Sequence, residues 1–450
     1  MSPSPNSEVA APASDKTLTF AFQDAVNPGV TKREVWAWAM YDFANSGYTT
    51  VVLTTVFSAY FVGVVAAGKS WGTLAFTAAL SFSYLMVMLS MPTLGARADA
   101  RAGKRRLLFT STVGCVAATF LLAFTGPGDI AWGLLIIALS NYCYCVGESI
   151  VAAFLPEIAR PNALGRVSGW GWSFGYFGGM LTLGISLALV SWASGNNEPA
   201  SQYVPYVMVL TAVIFAIAAI PSFLFLRERT PPSHSPSQGV LARLHAAWAE
   251  TRLHFVDFRL LLLCGTCYHA GIAVVITLSA VYATEAMGFT MAQTMMLVFT
   301  VNIAAAAGAF LFGYVQDKIG HKLALSITLV GWIVMILTAY AAVDLWLFWL
   351  AATLAGLCMG TSQSAGRAMV GALAPQKRLA EFYSLWTFAT QLAAVVGPLC
   401  YGLVTWVTDG NHRMALLFTG LFFVAGFVVL MRLDFARGAL ARSAAASDMM

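Results

Sequence analysis

Charge is scarce in this chain. Only 10% of its 450 residues are Asp, Glu, Lys or Arg, while 59% are hydrophobic. A soluble domain of this length cannot hide so much apolar surface, whereas a bilayer is a solvent in which it is stable. Other absences narrow the chemistry. No Gly-x-x-x-x-Gly-Lys-Ser/Thr loop occurs, which removes the commonest phosphate cradle. The six histidines include no His-x-x-x-His pair, so a zinc peptidase is not expected. Asp42 is the only Asp deep in an apolar run, which argues against a paired-aspartate intramembrane protease. Seven cysteines all fall inside apolar runs, and Cys264-x-x-Cys267, although redox-spaced, reads as small-residue packing. No metal, cofactor or enzymatic activity is therefore expected. Residues 1–34 lack the apolar core of a signal peptide, and no Asn-x-Ser/Thr acceptor is present.

What the sequence has is apolar runs, twelve of them: roughly 36–66, 71–92, 107–126, 130–155, 168–192, 204–226, 259–285, 291–315, 322–343, 345–372, 381–408 and 412–432. Most exceed the roughly 20 residues that cross a hydrocarbon core, so they predict an all-α membrane protein of twelve transmembrane helices. With an even count both termini share one side. All Lys and Arg residues except Lys69 and Arg413 fall on that side, which the positive-inside rule assigns to the cytoplasm of a cell (inner) membrane. The net charge of +5 is then a topological signal and not a nucleic-acid signature. The expected organisation is a disordered tail (1–34), a first six-helix bundle (35–226), a Pro- and Ser-rich linker (227–258), a second bundle (259–433) and a second tail (434–450). The linker includes an amphipathic stretch, Val240–Phe255, expected to lie on the lipid surface.

One short signal occurs twice. Gly95, Asp99, Arg101, Gly103 and Arg105 follow the second span; Gly313, Asp317, Lys318, Gly320 and Lys322 follow the eighth, with the two aspartates 218 positions apart. Each Asp can accept hydrogen bonds from the N–H groups at a neighbouring helix start, and the basic residues hold the loop at an anionic membrane face. The glycines permit a tight turn and close helix approach. The first copy has one extra residue between Asp and Gly. An internal repeat among membrane spans points to two similar halves and to a transporter.

Further segments carry a resemblance. Tyr41-Asp42-Phe43-Ala44-Asn45-Ser46-Gly47-Tyr48 opens the first span; Phe154-Leu155-Pro156-Glu157-Ile158 closes the fourth and leads into Leu164-Gly165-Arg166 and the Gly-rich fifth. Ala380-Glu381-Phe382-Tyr383 precedes the eleventh, which contains Gly397-Pro398. Together they resemble the major facilitator superfamily, in its vacuole-effluxer-like branch. That resemblance implies two six-helix bundles rocking about a central cavity lined by helices 1, 4, 7 and 10. It also implies that the repeated loops lock the cytoplasmic side, with Glu157, Arg166 and Arg367 assigned to the same gate. Where relatives carry an acidic residue in helix 7, this chain has Tyr268-His269-Ala270-Gly271.

Polar groups at membrane depth are costly and mark pathways. Asp42, Asn45, Ser46 and Thr49 fall at i, i+3, i+4 and i+7 of the first span, and Asn141, Tyr144 and Glu148 share a face of the fourth. Asp42 and Glu148 reach similar depth and could share a proton or bind a cationic group. The alternative is that both are structural. His269 stands near mid-span in helix 7 and could relay protons or stay neutral against a tyrosine. Gln363 is the cavity candidate in helix 10, while Arg367 near its end suits gating or snorkelling. No arginine is placed mid-span, which disfavours a polyanion as solute.

The expected function is a monomeric, proton-coupled carrier of a small organic solute, an amino acid or short peptide favoured. The alternative is an amphiphile or drug exporter, with Met295, Met296, Phe299 and Phe310 turned inward. The partners expected are the solute, protons and the lipid bilayer, with no nucleic acid.

Overall fold

The computed structural model describes residues 22–67, 71–232, 240–287, 291–409 and 411–447. Twelve helices in it are long and apolar enough to cross a membrane. The first six are α1 Lys32–Val65, α2 Gly72–Ala100, α3 Lys104–Phe124, α4 Ile130–Ile158, α5 Pro161–Gly195 and α6 Ala200–Phe225. The second six are α7 Val256–Met287, α8 Met291–Ile319, α9 His321–Ala341, α10 Leu345–Leu373, α11 Gln376–Val407 and α12 His412–Met431. Among the described residues the one β element is an isolated bridge, Val26 to Ala159.

The repeat in sequence is a repeat in packing. In the first half α1 lies against α5 and α6; in the second, α7 lies against α11 and α12. Between halves, α5 packs on α8 and α10, and α2 packs on α11. A helix satisfies most of its backbone polar groups internally, as a hydrocarbon environment requires. In α1 the turn widens to a π-helix over Thr49–Thr55. The hydroxyls of Thr54 and Thr55 donate to the Thr50 carbonyl at 2.8 and 2.6 Å, occupying an acceptor that the widened ladder displaces.

The expected tail boundary at 34 is too late. Phe22–Asp24 forms a 3-10 turn whose Phe22 ring stacks on Trp170 at 6.1 Å. Asn27 donates to the carbonyls of Pro156 and Glu157, and Arg160 Nε donates to Val26 O at 2.7 Å. Composition hid this, because the segment is held by backbone acceptors at the end of α4 and by a few scattered apolar side chains (Phe22, Ala25, Val26, Val30), too few to form an apolar run. Residues 1–21 and 233–239, with most of the expected tail and part of the linker, lie outside the described residues.

The remaining linker forms a helix, Val240–Leu253. It rests on protein as well as facing outward: Glu250 pairs with Arg378, Trp248 packs edge-on to Phe388, and the helix also touches α2. The end of the chain is likewise structured, as Phe435–Ser447. Arg437 there grips both oxygens of Asp257 at 2.6 and 2.7 Å, and Arg442 caps the Ala372 carbonyl at the end of α10.

Candidate functional site

The two repeated loops form two equivalent locks between the halves. Asp99, at the end of α2, accepts from the backbone N–H groups of Ala380 and Glu381 at 3.2 and 2.9 Å, at the start of α11. Asp317, at the end of α8, accepts from Gly165 and Arg166 at 2.9 and 3.0 Å, at the start of α5. Each carboxylate thus meets the unpaired donors and positive dipole end of a helix from the opposite half. The glycines four residues earlier make this possible. A Cβ at Gly95 would overlap Ser384 and the Ala380 carbonyl; one at Gly313 would stand 2.7 Å from Gly165 O.

The locks differ in charge. Asp317 also faces Arg166 across the halves, Nε to Oδ2 at 3.5 Å. Asp99 instead has Lys104 of its own half at 3.9 Å. Lys104 is fully buried, bonded to Glu157 and lying 5.6 Å from the Phe154 ring. Glu157 also accepts from Thr230 N at 3.1 Å, so it ties the ends of α3, α4 and α6 together within one half. Arg105 bonds the Phe223 carbonyl near the end of α6, and Lys322 bonds the Met431 and Leu433 carbonyls at the end of α12. Arg101 and Lys318 point outward.

The extra residue in the first loop has a visible cost. Gly320 takes the left-handed turn of the second copy (φ 92°), but in the first copy Ala102 takes it (φ 45°) while Gly103 does not (φ −112°). An L-residue there costs roughly 1–2 kcal/mol, and replacing Ala with Gly returns about 0.4–1 kcal/mol to the unfolded chain. Ala102→Gly should therefore stabilise by roughly 0.5 kcal/mol, read as a small upward shift in thermal midpoint; a downward shift would contradict the assignment.

Deeper in, the candidates separate. Asp42 is paired across the halves: its Oδ2 accepts from Arg367 Nη1 at 2.7 Å. Both side chains are buried, at 10% and 8% exposure. Arg367, six residues before the end of α10, is thus paired inside the bundle and joins the two halves, as a gating residue would. Trp38 and Trp172 lie beside the guanidinium, with ring centroids at 4.7 and 5.3 Å.

Gln363 accepts from Tyr176, Gln391 Nε2 reaches Cys145 Sγ at 3.3 Å, and Ser168 Oγ donates to Ser364 O at 2.9 Å. These cross-half bonds and the two locks all lie between the basic face and mid-helix. Asn141 leaves the candidate pathway: it is fully buried and donates to Ser83 of α2 at 2.6 Å, a packing bond. Asn45 is buried with neither amide atom partnered among the described residues. Ser46, Thr49, Tyr144, Glu148 and His269 are half-exposed at mid-helix. Glu148 is hydrogen-bonded with Tyr144 and lies within electrostatic range of Asp42 and Arg367. His269 Nδ1 lies 3.1 Å from the Gly265 carbonyl, with the ring edge-on to Trp386. A carbonyl only accepts, so Nδ1 carries the hydrogen and Nε2 of the neutral ring is left as an acceptor.

The sequence comparison decides the family. The profile described as Vacuole effluxer Atg22 like matches residues 58–443. The chain belongs to that family. It is a major facilitator superfamily transporter and not an enzyme. It is 26% identical over 409 residues to the Bacillus subtilis (strain 168) MFS-type transporter YxiO, covering 89% of this chain and 94% of the relative. Its fold is similar to the human organic anion transporter MFSD10, with TM-score 0.68, 15% identity, and 89% and 99% of the two chains covered. It is also similar to FucP in the outward conformation, with TM-score 0.69, 15% identity, and 90% and 99% covered.

Sequence reasoning about this transporter missed Lys104, because the extra loop residue shifts the basic positions. It also missed Ser168, whose hydroxyl and carbonyl both serve Arg367. The Gly-rich run around Ser168 was the available signal, since it marks where another chain element comes close.

Proposed function

We propose that this transporter carries a small organic solute, an amino acid or short peptide favoured, coupled to protons and working by alternating access. In this reading the basic face is cytoplasmic and the structure is closed on that face. The observation that carries it is the distribution of polar contacts. Cross-half bonds occupy the basic-face side of the bundle, while Asn45, Ser46, Thr49, Glu148 and His269 at mid-helix are left unspent by the lock. The similarity of fold to FucP in the outward conformation agrees with such a state. Arg367 is neutralised by Asp42, so the middle of the bundle offers no surplus of positive charge to a polyanion. A proton placed on Asp42 would remove the charge that holds Arg367 and loosen the halves; Glu148, within range of both, is the natural donor or alternative acceptor.

The exporter alternative is supported by Phe299, which packs against the core, but not by Met296 and Phe310. Met296 and Phe310, with Ile303 between them, form an exposed stripe on α8, opposite the buried Ala304, Ala305 and Ala309 that face its neighbours. That stripe suits lipid. Met295 lies outside the residues whose side chains are described.

Uptake of mixed labelled amino acids and dipeptides into proteoliposomes tests the proposal, with and without an imposed pH gradient. Wild type should accumulate solute at least about tenfold with the gradient. Asp42→Asn or Glu148→Gln should abolish accumulation while exchange survives. Equal, gradient-independent movement in all three proteins would remove proton coupling, and no movement of any pool member would remove the amino-acid assignment.

A further inference from the structure

The residues around Arg367 form a site in their own right, and all of them belong to the first half. Trp38 and Asp42 come from α1; Ser168 and Trp172 come from α5. The three guanidinium nitrogens are each met by a different acceptor: Nη1 by Asp42 Oδ2 at 2.7 Å, Nε by Ser168 Oγ at 3.1 Å, and Nη2 by the Ser168 carbonyl at 2.8 Å. The two indoles cover the cation at 4.7 and 5.3 Å. The floor is Gly171, where a Cβ would overlap Asp42, the guanidinium and the Trp38 ring together. A compact ammonium cannot reach three acceptors set around a flat group, whereas a guanidinium does so with its fixed fork. Trp172 Nε1 is buried at the rim without a partner among the described residues, one further donor that a ligand could use.

Arg367 itself comes from α10, in the second half. It must withdraw when the halves part on the basic face, leaving a preformed carboxylate-and-indole socket on the first half open to that side. We infer that this socket is a binding site for a guanidinium-bearing solute, and that Arg367 is the protein's own occupant of it while the basic face is closed. The inference rests on the alternating-access reading for its timing, but the socket is present in the closed structure. A solute held there would neutralise Asp42 during the interval in which Arg367 is away. It would have to leave before the halves could close again, so its release and reclosure are one event.

Methylguanidinium chloride is the probe, added to the purified full-length protein in detergent. Thermal unfolding and intrinsic tryptophan fluorescence are the readouts, the second because Trp38 and Trp172 would flank the ligand. Arg367→Ala should show a saturable, methylguanidinium-dependent rise in midpoint and a fluorescence change at concentrations at least about tenfold lower than wild type, in which Arg367 competes for the socket. Adding Asp42→Asn or Gly171→Val should weaken binding about tenfold or more, and methylammonium should bind at least about tenfold more weakly than methylguanidinium.

If Arg367→Ala does not purify, Gly313→Leu replaces it. That side chain props the basic face apart with Arg367 intact, and the same binding and the same Asp42→Asn dependence are expected. No saturable response in the variant used, or an equal response with Asp42→Asn, overturns the proposal. The measurement needs neither a gradient nor transport. Binding without transport in proteoliposomes would leave the socket standing and remove the carrier assignment. Transport without binding would do the reverse.

Discussion

Arg367→Ala should be the most destabilising single substitution in the transporter, costing about 3–5 kcal/mol, while Asp42→Asn/Arg367→Met should lie much closer to wild type. The asymmetry follows from what each change leaves behind. Removing the guanidinium strands Asp42 in a buried position without the charge that pairs with it. Removing only the charge of Asp42 leaves Arg367 with two oxygens of Ser168 and both ring faces, so Asp42→Asn should fall between. The pair itself contributes little net stability, because both charges were taken out of water to form it. Its value is conditional. It holds the halves together only while both members are present, which is what a carrier that must open needs. A double-mutant cycle on detergent-solubilised protein, read by thermal or denaturant unfolding, gives the coupling. Finding Arg367→Ala as stable as the double variant would mean that Asp42 is not left alone in the closed state.

The reach of the sequence divides along a physical line. Spans, sidedness of the basic residues and the doubled loop were legible, because hydrophobic length and local periodicity are properties of adjacent residues. The role of Asp99 and Asp317 as acceptors at helix starts was legible too, since a carboxylate in a short Gly-bounded turn has few other donors within reach. Which helix starts they meet was visible only in the fold. Asp42 and Arg367, 325 residues apart, could not be paired from spacing. Asn141 fell on the same helical face as Glu148, yet its side chain closes on Ser83 of α2. A helical face is broad enough to hold both a packing bond and a cavity wall. The tail segment 22–34 was misread for the opposite reason. It is held by hydrogen bonds to the carbonyls of Pro156 and Glu157 and by the isolated apolar residues Ala25, Val26 and Val30, which make no periodic pattern to find.

The second large effect separates the two locks. Asp317→Ala should open the basic face more than Asp99→Ala, although the two aspartates are equivalent in the repeat. Each substitution strands two backbone N–H groups at a helix start, a loss of roughly 1–3 kcal/mol, or about 5- to 150-fold in the open-to-closed ratio. Asp317 loses in addition its charge pairing with Arg166 of the other half, at 3.5 Å. Among the described residues Asp99 has no such partner, because Lys104 belongs to its own half and keeps Glu157 when Asp99 is gone. Cys145 supplies the reporter: it is buried at mid-depth against Gln391 of the opposite half, and parting the basic face should uncover it. With Cys145 as the single cysteine, labelling by a membrane-impermeant maleimide from the basic side should accelerate in the order wild type, Asp99→Ala, Asp317→Ala. The double variant should approach the product of the single effects, since the locks share no partner. A larger effect from Asp99→Ala would make the first lock the stronger and the cross-half charge irrelevant. Unchanged labelling in both would mean that the interface between α5, α8 and α10, held by close packing and the Asp42–Arg367 pair, closes the face without the loops.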